Sequence, residues 1–396
     1  MTTNDSGYIR KDLPVKIGNI GMILLASGII FGIFGFITNP ERAAFSYLPT
    51  FMFLLSISVG SLFWVALEYL AGAEWSVPFR RVAEFLSTII PLLIILVIPL
   101  LMHMKDLFIW MNPVAVASSK VLQGKEPYLN YSFFLIRVIG FCIIWVIFYF
   151  IFIRNSRKQD ITGEQGLTKN NVIFSGIFMP VFAYTITFSA VDWLMSLAPL
   201  WFSTIFGAYL FSGAVWSSLA AITFISIKLK ENGYLHPKVN ENHYYSLGTL
   251  LFAFTVFWAY IAFSQYMLIW YADLPEESFW FLHRWTGGWS LLSIIVIITH
   301  FIVPFGALLS FPSKTNTGRL KFISIWILAA HYIDLYWLIM PSLYVNGKVY
   351  MFSWLDIVFP VGAVGLIMVV FNWSARRYNL IPIRDPKLQK AFNFRI

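Results

Sequence analysis

Among the ionisable side chains of this 396-residue sequence, a small set falls inside long apolar runs, and these residues are the ones able to do chemistry there. An ionisable group at the centre of a bilayer costs about 2.5–3.5 kcal/mol by insertion measures, so each one retained needs a partner or a function. His331 and Asp334 are three residues apart, a spacing that puts both side chains on one face of a helix and lets the carboxylate orient or charge the imidazole. They form the best proton-handling pair in the chain. Asp192 on one side and His300, Glu84 and Glu68 on the other would extend a proton path, with Gln265 and Tyr260 ordering water between them. Each also has a structural alternative. Arg137 is expected to pair with Asp192 or Asp356, Glu84 and Glu68 lie close in sequence to Arg80 and Arg81, His300 can bond a neighbouring serine or carbonyl, and Asp356 sits near enough to a boundary to be solvated. Tyr266, Trp270 and Trp280 would line an aromatic quinol pocket or, as is commoner for such rings, anchor spans at the interface.

Composition decides what surrounds these groups. The chain is 59% hydrophobic and 12% charged, where soluble domains average about 45–50% and about 25%. That excludes a water-soluble domain and a disordered one. Cys142 is the single cysteine, so neither a disulfide within the chain nor a thiolate metal cluster can form. Three of the six histidines, His236, His243 and His283, fall in loops, and His103, His300 and His331 are expected at different depths. That pattern offers no bis-histidine haem site and no haem–copper centre. No Walker loop, dinucleotide-binding glycine pattern or nucleophile elbow is present. The expectation is therefore a chain with no metal, no resident cofactor and no nucleic-acid partner.

The elements that must position these residues are membrane spans, since crossing about 30 Å of hydrocarbon takes about 20 apolar residues. Ten windows qualify, at 17–37, 48–70, 82–103, 132–153, 172–193, 203–227, 245–271, 286–309, 321–340 and 352–373. The first is expected to be retained rather than cleaved, because it follows a polar segment carrying Arg10, Lys11 and Lys16. Of the 28 Lys and Arg residues, 21 fall in the two tails and the loops on their side and 6 in the opposite loops. This bias predicts both termini in the cytoplasm and accounts for the net charge of +9. Counting rise along each helix places Glu68, Glu84 and His300 in the cytoplasmic half and Arg137, Asp192, Gln265, His331, Asp334 and Asp356 from the middle outwards. Asp192 precedes Pro199 by seven residues and Asp334 precedes Pro341 by the same interval, a hint of repeated halves.

Four strings carry a family likeness: EWSVPFRRVAEFL at 74–86, PYLNYSFFLIR at 127–137, DWLMSLAPLWFSTIFG at 192–207 and FWAYIAFSQYMLIWYADLPEESFWF at 257–281. Over about residues 17–380 the chain resembles the ActF-type subunits of bacterial alternative complex III, within the wider NrfD and polysulfide-reductase membrane-subunit family. The resemblance implies an all-α integral membrane protein of the bacterial inner membrane. It implies one polytopic domain: a peripheral span 1 (17–47), a four-helix bundle of spans 2–5 (48–193), a second bundle of spans 6–9 (203–340), a peripheral span 10 (352–373) and a cytoplasmic tail (374–396). It also implies partners: a homologous quinol-binding subunit, a multihaem cytochrome c, an iron–sulfur subunit, a monohaem cytochrome c, a small membrane subunit, bound lipids and, as an optional addition, a haem–copper oxidase. Haem c and iron–sulfur clusters would sit on those partners. This chain would carry no cofactor, support assembly and pass protons through two half-channels coupled to quinol oxidation, or alternatively bind quinol itself. Many relatives carry an acidic residue and a histidine where this chain has Ala198, Pro199 and Leu200, which weakens an outer proton or quinol site after span 5. A secondary transporter, which would isolate without haem, and a pure scaffold remain the alternatives of another class.

Overall fold

The computed structural model describes residues 13–343 and 352–396. Among the described residues, ten helices are long and apolar enough to cross a membrane: α1 (Val15–Thr38), α2 (Pro40–Ala71), α3 (Val77–Met102), α4 (Tyr131–Thr162), α5 (Gly166–Leu197), α6 (Phe206–Glu231), α7 (Glu241–Ala272), α8 (Trp289–Leu308), α9 (Thr317–Leu343) and α10 (Leu355–Arg377). The chain is thus a multi-pass membrane protein, and no strand occurs among the described residues. In hydrocarbon a helix satisfies every backbone donor and acceptor within its own segment, which is why the apolar runs take this form.

Several helices outrun the windows expected from hydropathy, because their ends are fixed by polar caps. Asn39 accepts from the Arg42 amide and Pro40 occupies the first turn, so α2 starts eight residues before its apolar stretch. Asn130 caps α4 in the same way, and that helix continues through a polar tail to Gly163, whose φ of 72° suits only glycine without strain. Prolines act differently by position. Pro91 and Pro99 divide α3 into Val77–Ser87, Ile90–Leu96 and Ile98–Met102, whereas Pro49 in α2 and Pro180 in α5 are carried within continuous helix.

Two helices, α2 and α6, are almost wholly enclosed and pack on each other. Around α2, contacts run α2 to α3, α3 to α4, α4 to α5 and α5 back to α2; around α6 they run α6 to α7, α7 to α8, α8 to α9 and α9 back to α6. Helix α1 packs along α10 through a glycine stripe, with backbone against backbone at Gly28, where an added Cβ would fall 2.4 Å from the Gly362 Cα. Its other face exposes Ile23, Ile30, Ile33 and Ile37. Helix α10 in turn touches α2 and the first part of α3, so it is tied in more firmly than α1.

Candidate functional site

Helices α6, α7, α8 and α9 bring titratable groups together in their interior. His300, His331 and Asp334 are all buried, and one potential ligand atom from each lies within 4.8 Å of the others. The Tyr209 hydroxyl of α6 donates to Asp334 Oδ1 at 2.6 Å. The other carboxylate oxygen, Oδ2, lies 3.7 Å from His300 Nε2. Neither ring nitrogen of His300 or of His331 has a hydrogen-bond partner. The His300 ring lies on Trp258 at a centroid distance of 3.8 Å and against Trp216 at 4.4 Å. Trp216 is held by its own indole N–H, which donates to Thr255 Oγ1 at 3.0 Å and the Leu251 carbonyl at 3.1 Å.

Local backbone features aim these side chains. His300 sits on a π-helical turn, Ile298–Ile302, just before Pro304, whose missing N–H relaxes the α-helical ladder there. Gly213 on α6 faces His331, and a Cβ at that position would fall 2.8 Å from the imidazole Cε1. His331 and Asp334 share a face of α9 as the spacing predicts, but the carboxylate turns to Tyr209 and His300, and no hydrogen bond joins it to His331. His300 and His331 have ring centroids 6.3 Å apart across the contact between α8 and α9.

The remaining sequence candidates fall into separate networks. Arg137 and Asp192 pair at 2.9 Å, with Arg137 Nε donating to the second carboxylate oxygen at 3.0 Å and the Tyr128 hydroxyl donating to the first at 3.0 Å. Burial, followed by the adjacent carboxylate, pushes the Tyr128 phenol up from its ordinary value. Near the end of the molecule that carries the C-terminal tail, Arg81 pairs with Glu84 at 2.5 Å and with Asp160 at 2.6 Å, and Arg80 bridges Glu68 at 3.4 Å and Asp385. Glu84 Oε1 also accepts from Ser156 Oγ at 2.6 Å. Asp356, expected either in an ion pair or solvated near a boundary, is buried: it pairs with Arg42 rather than Arg137, at 2.5 Å, and accepts from Ser46 at 2.7 Å and Tyr336 at 3.1 Å. The reason is that α10 presses this residue against α2 and α9.

A cavity of about 480 Å³ adjoins the central cluster and includes Tyr209, Trp258, Gln265, Tyr266 and Ser293 in its wall. Tyr260 lines it too but is largely exposed, and Gln265 donates to Ser203 Oγ at 2.8 Å rather than to the titratable cluster. Trp270 points outwards, while Trp280 is buried in a parallel stack with Trp201 at 4.4 Å, so these two do not join Tyr266 in one pocket.

Two central residues escaped sequence reasoning. Tyr209 lay beyond the end of a recognised string and is uncharged, so depth counting passed over it. Arg284 falls between the seventh and eighth apolar windows; it is buried, lies 3.4 Å over the Trp280 ring, and donates to the carbonyls of Trp280, Trp337 and Leu338. Burial pushes its guanidinium down from the ordinary value. No protein-family model matches the chain, and no curated protein matches it.

Proposed function

We propose that this chain is the cofactor-free membrane subunit of a quinol-oxidising complex of the alternative complex III type, and that it passes protons through the cluster of His300, His331, Asp334 and Tyr209. One observation carries the proposal: three acid or imidazole side chains and a phenol converge, fully buried, between spans. Helix packing alone does not require two buried imidazoles without hydrogen-bond partners, whereas proton transfer uses groups able to take and release charge. The two closed rings of contacts, α2–α5 and α6–α9, are the arrangement expected of two four-helix bundles, with α1 and α10 outside them.

In this reading the bacterial inner membrane holds the chain with both termini in the cytoplasm, consistent with the distribution of its basic residues. The partners are a homologous quinol-binding subunit, a multihaem and a monohaem cytochrome c, an iron–sulfur subunit, a small membrane subunit and lipids. Asp334→Asn keeps the size and the Tyr209 contact but abolishes the ionisable carboxyl. The intact complex, reconstituted in vesicles, should keep its assembly and lose proton translocation with this variant; an unchanged proton-to-electron ratio refutes the role. A second reading, that this chain binds quinol itself, is favoured by the aromatic cavity beside Tyr209. A photo-reactive quinone should then label α7 near Tyr266, and labelling confined to the homologous subunit decides against it.

A further inference from the structure

We infer that His300, His331 and Asp334 form a binding site for one divalent first-row transition-metal ion. Two imidazoles and one carboxylate are a recognised donor set for Zn²⁺ and Fe²⁺, and the absence of thiolate matches the sequence, whose single cysteine lies elsewhere, on α4. Mg²⁺ and Ca²⁺ prefer shells of oxygen, which two imidazoles do not supply.

The geometry meets what such an ion needs. All three donors are buried, so none is held in place by solvent. The imidazole nitrogens are uncommitted on both rings, and of the two Asp334 oxygens only Oδ1 is engaged, by Tyr209. Oδ2 and His300 Nε2 are 3.7 Å apart, close to the roughly 3.4 Å separation that metal–ligand bonds of about 2.0–2.1 Å in a tetrahedral shell require. The ligand atoms all lie within 4.8 Å of one another, so reaching a separation of roughly 3.4 Å takes at most about 1.4 Å of side-chain movement. The π-turn sets His300 against Trp258 and Trp216, and the missing Cβ at Gly213 is what lets the His331 ring pack close to α6. Tyr209 then acts as the outer partner that fixes the ligating carboxylate, an arrangement common around bound metals. The adjoining cavity reaches Tyr209 and Trp258, the side chains that touch Asp334 and His300. Because an ion on Asp334 and two neutral imidazoles displaces protons from the same atoms, metal binding and proton transfer at this cluster exclude each other.

The test uses the full chain in its purified complex, stripped with chelator and equilibrated with Co²⁺. The expected result is one additional equivalent of Co²⁺ relative to H331Q and to H300Q, with visible absorption bands of a four- or five-coordinate ion that are absent from both variants. His103→Gln supplies the control, since His103 and Asp106 form a partly exposed pair at 2.9 Å that would capture stray metal; this variant should keep the bands. Bands lost in H103Q and kept in H331Q and H300Q overturn the proposal, as does the absence of any site-specific equivalent. Should the buried variants fold poorly, zinc K-edge absorption on the unaltered protein decides: two imidazole scatterers are expected, and a shell of oxygen alone refutes the site. Proton pumping by a protein that fails these tests removes this inference only, whereas bound metal with normal pumping in Asp334→Asn removes only the proton role.

Discussion

Asp334 and His300 face each other across the α8–α9 contact with 3.7 Å between Oδ2 and Nε2, too far for a hydrogen bond and too close for two groups that ignore each other. Tyr209 holds the opposite carboxylate oxygen at 2.6 Å, so the carboxylate plane is fixed from one side and open on the other. That asymmetry gives Tyr209 a measurable role. Tyr209→Phe deletes one donor and leaves a buried acceptor with nothing to replace it, which costs about 1–3 kcal/mol. Thermal unfolding in detergent should fall accordingly. Tyr260→Phe, altering a hydroxyl on a largely exposed ring, should change stability by less than about 0.5 kcal/mol.

Arg137 and Asp192 are joined by three guanidinium contacts, with Tyr128 donating to the same carboxylate. Removing either partner strands a buried charge, at about 3–5 kcal/mol, whereas replacing both with apolar residues of similar volume is often neutral. Arg137→Met and Asp192→Leu singly should each lower unfolding temperature sharply, and the double variant should recover most of the loss. If Asp192 serves only to fix α4 against α5, the double variant keeps proton translocation; its loss in a stable double variant would place Asp192 on the proton route.

The contrast between these two aspartates shows how far sequence reasoning reaches. Asp192 and Asp334 stand at the same interval before a proline, and each accepts a hydrogen bond from a tyrosine. The spacing, the ten spans and the Arg137 pairing are all local or nearly local properties, visible in hydropathy and charge. What surrounds each aspartate is not, because it depends on which helices meet. Arg137 reaches Asp192 across adjacent spans, whereas Asp334 meets Tyr209 from α6, 125 residues away, and His300 from α8. The same limit explains Asp356. Its position near a span end suggested water, but Arg42, 314 residues earlier, covers it.

Gly28 and Gly362 set the spacing between α1 and α10, since a Cβ on Gly28 would meet the facing Cα at 2.4 Å. The obstacle is backbone rather than a flexible side chain, so Gly28→Leu cannot be accommodated by a rotamer change and should cost about 1–3 kcal/mol. As α1 buries little else, the loss should appear as detachment of one helix rather than collapse of the fold. Limited proteolysis should cut the α1–α2 connection near Asn39 faster, with the core from α2 onwards remaining folded.

Arg284 is a buried cation whose hydrogen-bonding partners are carbonyls: Nη2 donates to Leu338 at 2.8 Å, Nη1 to Trp280 at 3.0 Å and Nε to Trp337 at 3.3 Å. The fork geometry of a guanidinium reaches all three at once while lying flat on the Trp280 ring. A lysine keeps the charge but offers a compact head on a flexible stem, which cannot cover three divergent carbonyls and stack together. Arg284→Lys should therefore cost about 1.5–3 kcal/mol, the value of one hydrogen bond to a charged group. Arg284→Met, which leaves every one of those carbonyls without this donor, should cost more. Because Trp280 stacks on Trp201 and its ring also meets Trp337 edge-on, the change should also disturb tryptophan emission. A lysine variant with native unfolding temperature and unaltered emission would show that packing of the three indoles, rather than the guanidinium, holds this end of α9 in place.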